Sequence, residues 1–232
     1  MQKMKTVLMD AVLKEYPRLA NSYVGRKTWH EMSETELWHE LCLCILSSNV
    51  PYQLAKSATL HLIGNGFLGI DWVVNNSNSG KIIANELSQS KYLPKKKDGT
   101  YRKYRFPNVR SKNIFHAATV IFSKGNSLHA ILKSANSEEK ARAVLVKNTS
   151  GLGLKEASHF LRNIGYSNRL AIVDTHILRF LINIGEIEKT EASAISSKKY
   201  YKIEAKLQEI CRNYELNLSI LDMTIWYCSR GE

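Results

Sequence analysis

The sequence predicts an almost wholly helical protein, and three observations carry that expectation. Apolar residues recur at three- and four-residue spacing along most of the 232 residues, alternating strand patterns are scarce, and capping residues stand where the periodic runs begin and end. Hydrophobic residues make up 44% of the chain and charged residues 23%, a globular balance that excludes a disordered or fibrous class. The length suffices for one sizeable core or two small lobes sharing a cleft.

Ser33-Glu34-Thr35-Glu36 reads as a capping box opening a helix whose apolar stripe is Leu37, Trp38, Leu41, Cys44 and Ile45. At Asn49-Val50-Pro51 the pattern breaks: asparagine suits a helix cap, and proline can start the next helix. Helical spacing returns at Ile114, Ala117, Ala118 and Ile121, and again at Ala141, Val144 and Leu145. Ala157, Phe160, Leu161 and Ile164 then recur at i, i+3, i+4 and i+7, with Gly165 as a C-terminal stop. "RLAIVD", residues 169–174, is a short extended link, and Asp174 can cap a helix bearing Ile177, Leu178 and Leu181. Two more helices fit 193–213 and 218–229, and no internal repeat, low-complexity segment or long linker interrupts the series.

Charge narrows the partners. Lysine and arginine number 33 against 21 acids, a formal charge of +12, which suits an anionic polymer better than a small neutral substrate. No apolar run approaches the roughly 20 residues that cross a bilayer, and acidic residues interrupt any signal-like core in "MQKMKTVLMDAVLKEYP". An intracellular protein with no membrane partner is expected, in the cytoplasm or nucleoid. Cys42, Cys44, Cys211 and Cys228 lack the paired spacing of a metal site and read as reduced structural thiols.

From Lys91 to Lys112, "KYLPKKKDGTYRKYRFPNVRSK" holds nine lysines and arginines against one acid, interleaved with Tyr92, Tyr101, Tyr104 and Phe106. Such a mixture offers cations to phosphates and flat rings to bases. On these residues alone, a solvated basic loop fits equally well.

"SGLGLKEASHF", residues 150–160, carries the chemistry. Gly151 and Gly153 allow a backbone to approach a phosphate closely, and the helix start beyond them supplies free N–H donors. Lys155 lies about 160° around the helix from the apolar stripe, at about 100° per residue, so it faces away from the core. The positive end of a helix is a poor place for an ammonium and a better one for a neutral amine. By itself, G-x-G is a weak signal.

"GLGLKEASHFLRNIGYSNRLAIVDTHILRFL", residues 151–181, resembles the hairpin and catalytic segment of the helix-hairpin-helix DNA glycosylases. It is most similar to the single-domain, type 2 8-oxoguanine DNA glycosylase/AP lyases, and "ILSSN" at 45–49 and "YRFPNVRSKNI" at 104–114 agree. The resemblance spans about 45 to 230. It implies an all-α, two-lobed fold with a DNA-binding cleft between the lobes, formed as one domain over 1–232. One lobe would cover about 35–180 with the hairpin at 145–164, and the other the N-terminal segment with 185–232. The implied partner is duplex DNA containing oxidised guanine, bound by a monomer that uses no metal and no cofactor.

Carried over, Lys155 is the nucleophile and Asp174 the catalytic carboxylate. Cleavage of the glycosidic bond builds positive charge on the sugar, which a carboxylate stabilises, and an amine attacking C1′ forms a Schiff base that permits β-elimination. Gly151 and Gly153 would bind backbone phosphate, and Asn49 would fill the gap opposite a flipped base. Lys95, Lys96, Lys97 and Arg105 would meet phosphates, with Tyr104 and Phe106 as candidate wedges. His176 is a DNA contact or a satisfied buried histidine. His159 is a packing or surface residue rather than a metal ligand. Trp226, otherwise a core aromatic like Tyr227, and the chain-terminal Glu232 would read the base, although the sequence departs here from the family's basic end: only Arg230 is cationic after Trp226-Tyr227. A glycosylase for another damaged base and a non-catalytic helix-hairpin-helix DNA-binding module are the rival readings.

Overall fold

The computed structural model describes residues 2–229, with side chains over 7–123 and 125–229. In chain order its helices are α1 Gln2–Tyr23, α2 Glu34–Ser47, α3 Tyr52–Gly64, α4 Ile70–Asn75, α5 Ser79–Leu87, α6 Pro107–Ile121, α7 Leu128–Ser134, α8 Glu138–Asn148, α9 Leu154–Asn163, α10 Thr175–Asn183, α11 Ser197–Asn213 and α12 Leu218–Cys228. A 3-10 turn, Ser123–Gly125, precedes α7. Among the described residues there is no strand, only an isolated antiparallel bridge between Tyr92 and Arg102.

Packing divides the chain into two compact units, Thr28–Ile164 and a terminal unit of Met1–Lys27 with Gly165–Glu232. Residues 165–180, read from sequence with the hairpin lobe, fall in the terminal unit.

In the first of these, α2 is central and packs on α3, α6 and α9. Its capping box forms as the sequence predicts: Ser33 Oγ accepts from Glu36 N at 3.2 Å, and Glu36 Oε2 accepts from Ser33 N at 2.6 Å. The stripe Leu37, Trp38, Leu41, Cys44 and Ile45 is wholly buried, at about 1.5–3 kcal/mol for each large apolar side chain. Trp38 also satisfies its only donor, giving Nε1–H to the Leu68 carbonyl at 2.9 Å.

In the terminal unit, α1 packs on α12 and α10, and α11 packs on α12. Met9, Val12 and Leu19 of α1 are buried, as are Leu221 and Ile225 of α12. Tyr16 accepts a bond from Asn217 N at 2.6 Å, tying α1 to the N-cap of α12, and burial raises its phenol pKa. Helix α11 starts at Ser197, four residues later than its sequence pattern suggested. Ala194 stands at φ 43°, a left-handed conformation no helix tolerates, and Ser196 caps Lys199 N instead. The thiols of Cys42, Cys44, Cys211 and Cys228 are all free.

Candidate active site

The hairpin is α8, a five-residue turn and α9. Gly151 sits at φ 81°, and a Cβ there would lie 2.0 Å from Asn113 Nδ2, so conformation and space both require glycine. Ser150 Oγ donates to Asn113 Oδ1 at 3.3 Å, pinning the turn to α6. Gly153 is the N-cap of α9 in extended conformation, φ −89° and ψ −177°, and no side chain caps the helix. The first turn of α9 therefore presents its amides and its positive dipole end without a side-chain acceptor.

Lys155 is the second residue of α9. Its apolar neighbours Ala157, Phe160, Leu161 and Ile164 are wholly buried, while the lysine side chain keeps 32% exposure, as the helical wheel predicts. Its Nζ lies 3.2 Å from Glu156 Oε1, a buried carboxyl that sequence reading did not single out. One turn on, His159 is flanked on the same face by Lys155 and Arg162. Desolvation first, then the charges of Arg162 and Lys155, hold the His159 pKa well below its ordinary value. Among the described residues no group of histidine, cysteine and carboxyl side chains is placed to hold a metal ion.

Asp174 follows an extended segment and caps α10, with φ −110° and ψ −175°. Both capping bonds go to one oxygen: Oδ1 accepts from His176 N at 2.8 Å and from Ile177 N at 3.0 Å. Oδ2 takes no part in the cap. Behind Asp174, Ala171 N donates to Glu204 Oε1 at 2.8 Å, Ile172 N to Asp222 Oδ2 at 2.8 Å, and Val173 N to the Tyr200 hydroxyl at 3.5 Å. Sequence reading missed these three partners. The signal that finds them is the extended "RLAIVD" itself, whose amides need acceptors once no strand lies beside it.

Asn49 follows Ser48, the C-cap of α2, and is exposed at φ 58°, the left-handed conformation asparagine adopts beyond a helix end. The α2 end is held from the basic segment: the Tyr104 hydroxyl donates to the Leu46 carbonyl at 2.5 Å, and Arg110 Nη2 to the Ser48 carbonyl at 2.9 Å. This corrects the reading of Tyr104 as a wedge. Its ring is buried, and desolvation holds its phenol pKa above the usual range. Tyr92 is equally buried and donates to the Glu86 carbonyl at 2.6 Å. Phe106 is half-buried, with the Arg105 guanidinium 4.9 Å from its ring centroid. Lys95, Lys96 and Lys97 are exposed, and Lys95 lies 4.6 Å over the ring of exposed Tyr101.

Two groupings thus form in the Thr28–Ile164 unit: the hairpin with Lys155, and Ser48, next to Asn49, with Arg110 and Phe106, whose ring centroid lies 5.8 Å from the Arg110 guanidinium. In the terminal unit, Ser229 Oγ donates to the Trp226 carbonyl at 2.8 Å and lies 2.5 Å from His176 Nδ1, joining the start of α10 to the end of α12. Trp226 is half-buried. Glu232 and Arg230 lie outside the described residues.

An all-helical chain with a glycine hairpin, an uncapped helix bearing a lysine in its first turn, and an aspartate at a later helix start has the form of a helix-hairpin-helix DNA glycosylase. The chain belongs to the 8-oxoguanine DNA glycosylase family, whose model matches residues 22–216. It is 34% identical over 231 residues to the 8-oxoguanine DNA glycosylase/AP lyase of Korarchaeum cryptofilum, covering 97% of this chain and 98% of the relative. The enzyme of that name from Methanocaldococcus jannaschii is 35% identical over 209 residues, covering 89% and 86%. Among solved structures, the M. jannaschii 8-oxoguanine glycosylase/lyase in complex with 15mer DNA containing 8-oxoguanine aligns with TM-score 0.70 at 29% identity, over 97% of this chain and 91% of that one. The Thermotoga maritima 8-oxoguanine DNA glycosylase shares the fold, with TM-score 0.74 at 24% identity over 100% and 98% of the two chains.

Proposed function

We infer that this chain is a bifunctional DNA glycosylase and AP lyase that excises 8-oxoguanine from duplex DNA. The observation that carries the reading is the pair of helix starts. Lys155 stands in the uncapped first turn of α9, and Asp174 keeps one carboxylate oxygen outside its cap on α10. The relatives' shared name supports the substrate.

The hairpin amides and Gly151 take backbone phosphate, and the exposed lysines 95–97 add cations along the strand. The damaged nucleotide leaves the stack, because its glycosidic bond is out of reach inside the duplex. Lys155 Nζ then attacks C1′ as the C1′–N9 bond breaks. The base departs with the bonding pair and takes the proton shed by the attacking nitrogen. Asp174 Oδ2 stabilises the positive charge that grows on the sugar. The nitrogen lone pair expels O4′, which takes up a proton, and a protonated Schiff base joins C1′ to Lys155. Loss of a C2′ proton drives out the 3′ phosphate, and water hydrolyses the Schiff base to free the lysine.

Trp226 supplies a ring for stacking on the base, and the terminal residues supply the acceptor for the N7–H that distinguishes the lesion from guanine. Deleting residues 230–232 is expected to reduce excision far more than cleavage of a preformed abasic site; equal losses count against base reading by that tail. None of the described helices is long and apolar enough to cross a membrane. An enzyme of duplex DNA works where the DNA is, in the cytoplasm or nucleoid.

Borohydride trapping on an 8-oxoguanine duplex tests the whole reading. The expected result is a covalent protein–DNA adduct. Base release without an adduct indicates a hydrolytic glycosylase, and binding without either indicates a DNA-binding module.

A further inference from the structure

We propose that Glu204, Asp222 and Tyr200 are positioning residues that fix the register and rotation of the segment ending in Asp174. The proposal rests on the reading of Asp174 as the catalytic carboxylate.

Residues 170–173 are buried and belong to no helix, and among the described residues no strand adjoins them to receive their amides. Side chains do that work instead. Arg169 N and Leu170 N donate to Ser167 Oγ at 3.3 and 3.1 Å, and the next three amides pass to Glu204, Asp222 and Tyr200. An extended chain sends successive amides to opposite sides. The acceptors follow that alternation: Glu204 and Tyr200 on α11 take residues 171 and 173, and Asp222 on α12 takes residue 172. Tyr200 also donates to the Ala171 carbonyl at 2.6 Å, and Ser219 Oγ on α12 donates to the Ser167 carbonyl at 3.2 Å. The segment is gripped from both flanks.

All three acceptors are nearly inaccessible, at 4% exposure for Tyr200 and 5% for Glu204 and Asp222. Burying two carboxyl groups is costly, and a neighbouring strand would satisfy the same amides with neutral carbonyls. The carboxyl pair does what a ladder would do while leaving the segment without a strand partner. A slip of one residue would exchange the amides between α11 and α12 and turn the Asp174 side chain to the other side. The grip therefore sets where Oδ1 meets α10 and where Oδ2 points.

The test is a set of single-turnover 8-oxoguanine excision rates, with DNA affinity and thermal midpoint measured alongside. Variants D222L, D222N, E204L, E204Q and Y200F are made in the natural sequence and again in a D174N background. Asparagine and glutamine keep an acceptor oxygen and are expected within about threefold of the natural rate. Leucine removes it; the expected loss is about 10- to 100-fold with unchanged DNA affinity, the scale of an approximately 1 Å misplacement of a reacting group. In the D174N background the leucine substitutions should add nothing. Folded leucine variants that excise at the natural rate, or that lose the same factor in both backgrounds, overturn the proposal. Where a leucine variant does not fold, Y200F decides, since it removes only a hydroxyl: a loss that vanishes beside D174N supports the grip, and a natural rate overturns it. If D174N alone excises normally, the reading of Asp174 fails instead, and the two failures are distinct.

Discussion

Lys155 and Asp174 both stand in the first turn of a helix or at its cap, yet their helices begin in opposite ways. Before α9, glycines stand at 151 and 153, and no side chain caps the helix. Before α10, every amide from 169 to 173 ends on a side-chain oxygen, and Asp174 takes those of His176 and Ile177. An open helix start attracts an anion from outside, and a saturated one holds its own residue still. On the proposed function, the difference teaches how one chemistry uses both: a nucleophile beside the DNA backbone, and a carboxylate aimed at a charge that appears only in the transition state.

The comparison can be broken at four places. Replacing Lys155 by glutamine is the most severe. It is expected to abolish the borohydride adduct and strand nicking while DNA binding persists through the hairpin amides, and an adduct on that variant would falsify the choice of nucleophile. Asp174→Asn should slow base excision by about 10²–10⁴-fold. Because asparagine caps a helix nearly as well as aspartate, its thermal midpoint should move little; a variant that unfolds would make Asp174 a structural cap first. Gly153→Asp would give α9 the closed start that α10 has. We expect DNA affinity to fall about tenfold as a carboxylate takes the phosphate's place. Unchanged affinity in a binding titration would show that phosphate sits elsewhere. Neutralising Lys95, Lys96 and Lys97 together has the mildest effect, flattening the slope of log affinity against log salt by up to about 3. A slope equal to that of the natural protein would return this segment to a solvated loop.

What could be read from the sequence followed from local signals. The capping box at Ser33, the i, i+3, i+4, i+7 run after Gly153 and the cap at Asp174 are each encoded within a turn or two of chain, and each forms. Long-range facts were out of reach. The rings of the basic segment look alike in sequence, but Tyr92 and Tyr104 turn inward because carbonyls at Glu86 and Leu46 await their hydroxyls, whereas Tyr101 stays exposed. Glu204, set in the lysine-rich α11, reads as a surface residue until the unpaired amide of Ala171 is found opposite it. The late start of α11 depends on one backbone conformation, that of Ala194, which no propensity marks.

The division of the chain also sets an order in time. The unit that carries Lys155 is one unbroken stretch, Thr28–Ile164, inserted between the two pieces of the unit that carries Asp174. At about 5–20 residues per second of synthesis, α1 leaves the ribosome roughly 10–40 seconds before its partner α12. The apolar face of α1, with Met9, Val12 and Leu19, must wait through that interval, while the inserted unit has its whole sequence in hand much sooner. A nascent chain that has emerged only as far as about residue 190 would therefore hold the whole hairpin and its lysine, while the grip on Asp174 from α11 and α12 has yet to be made.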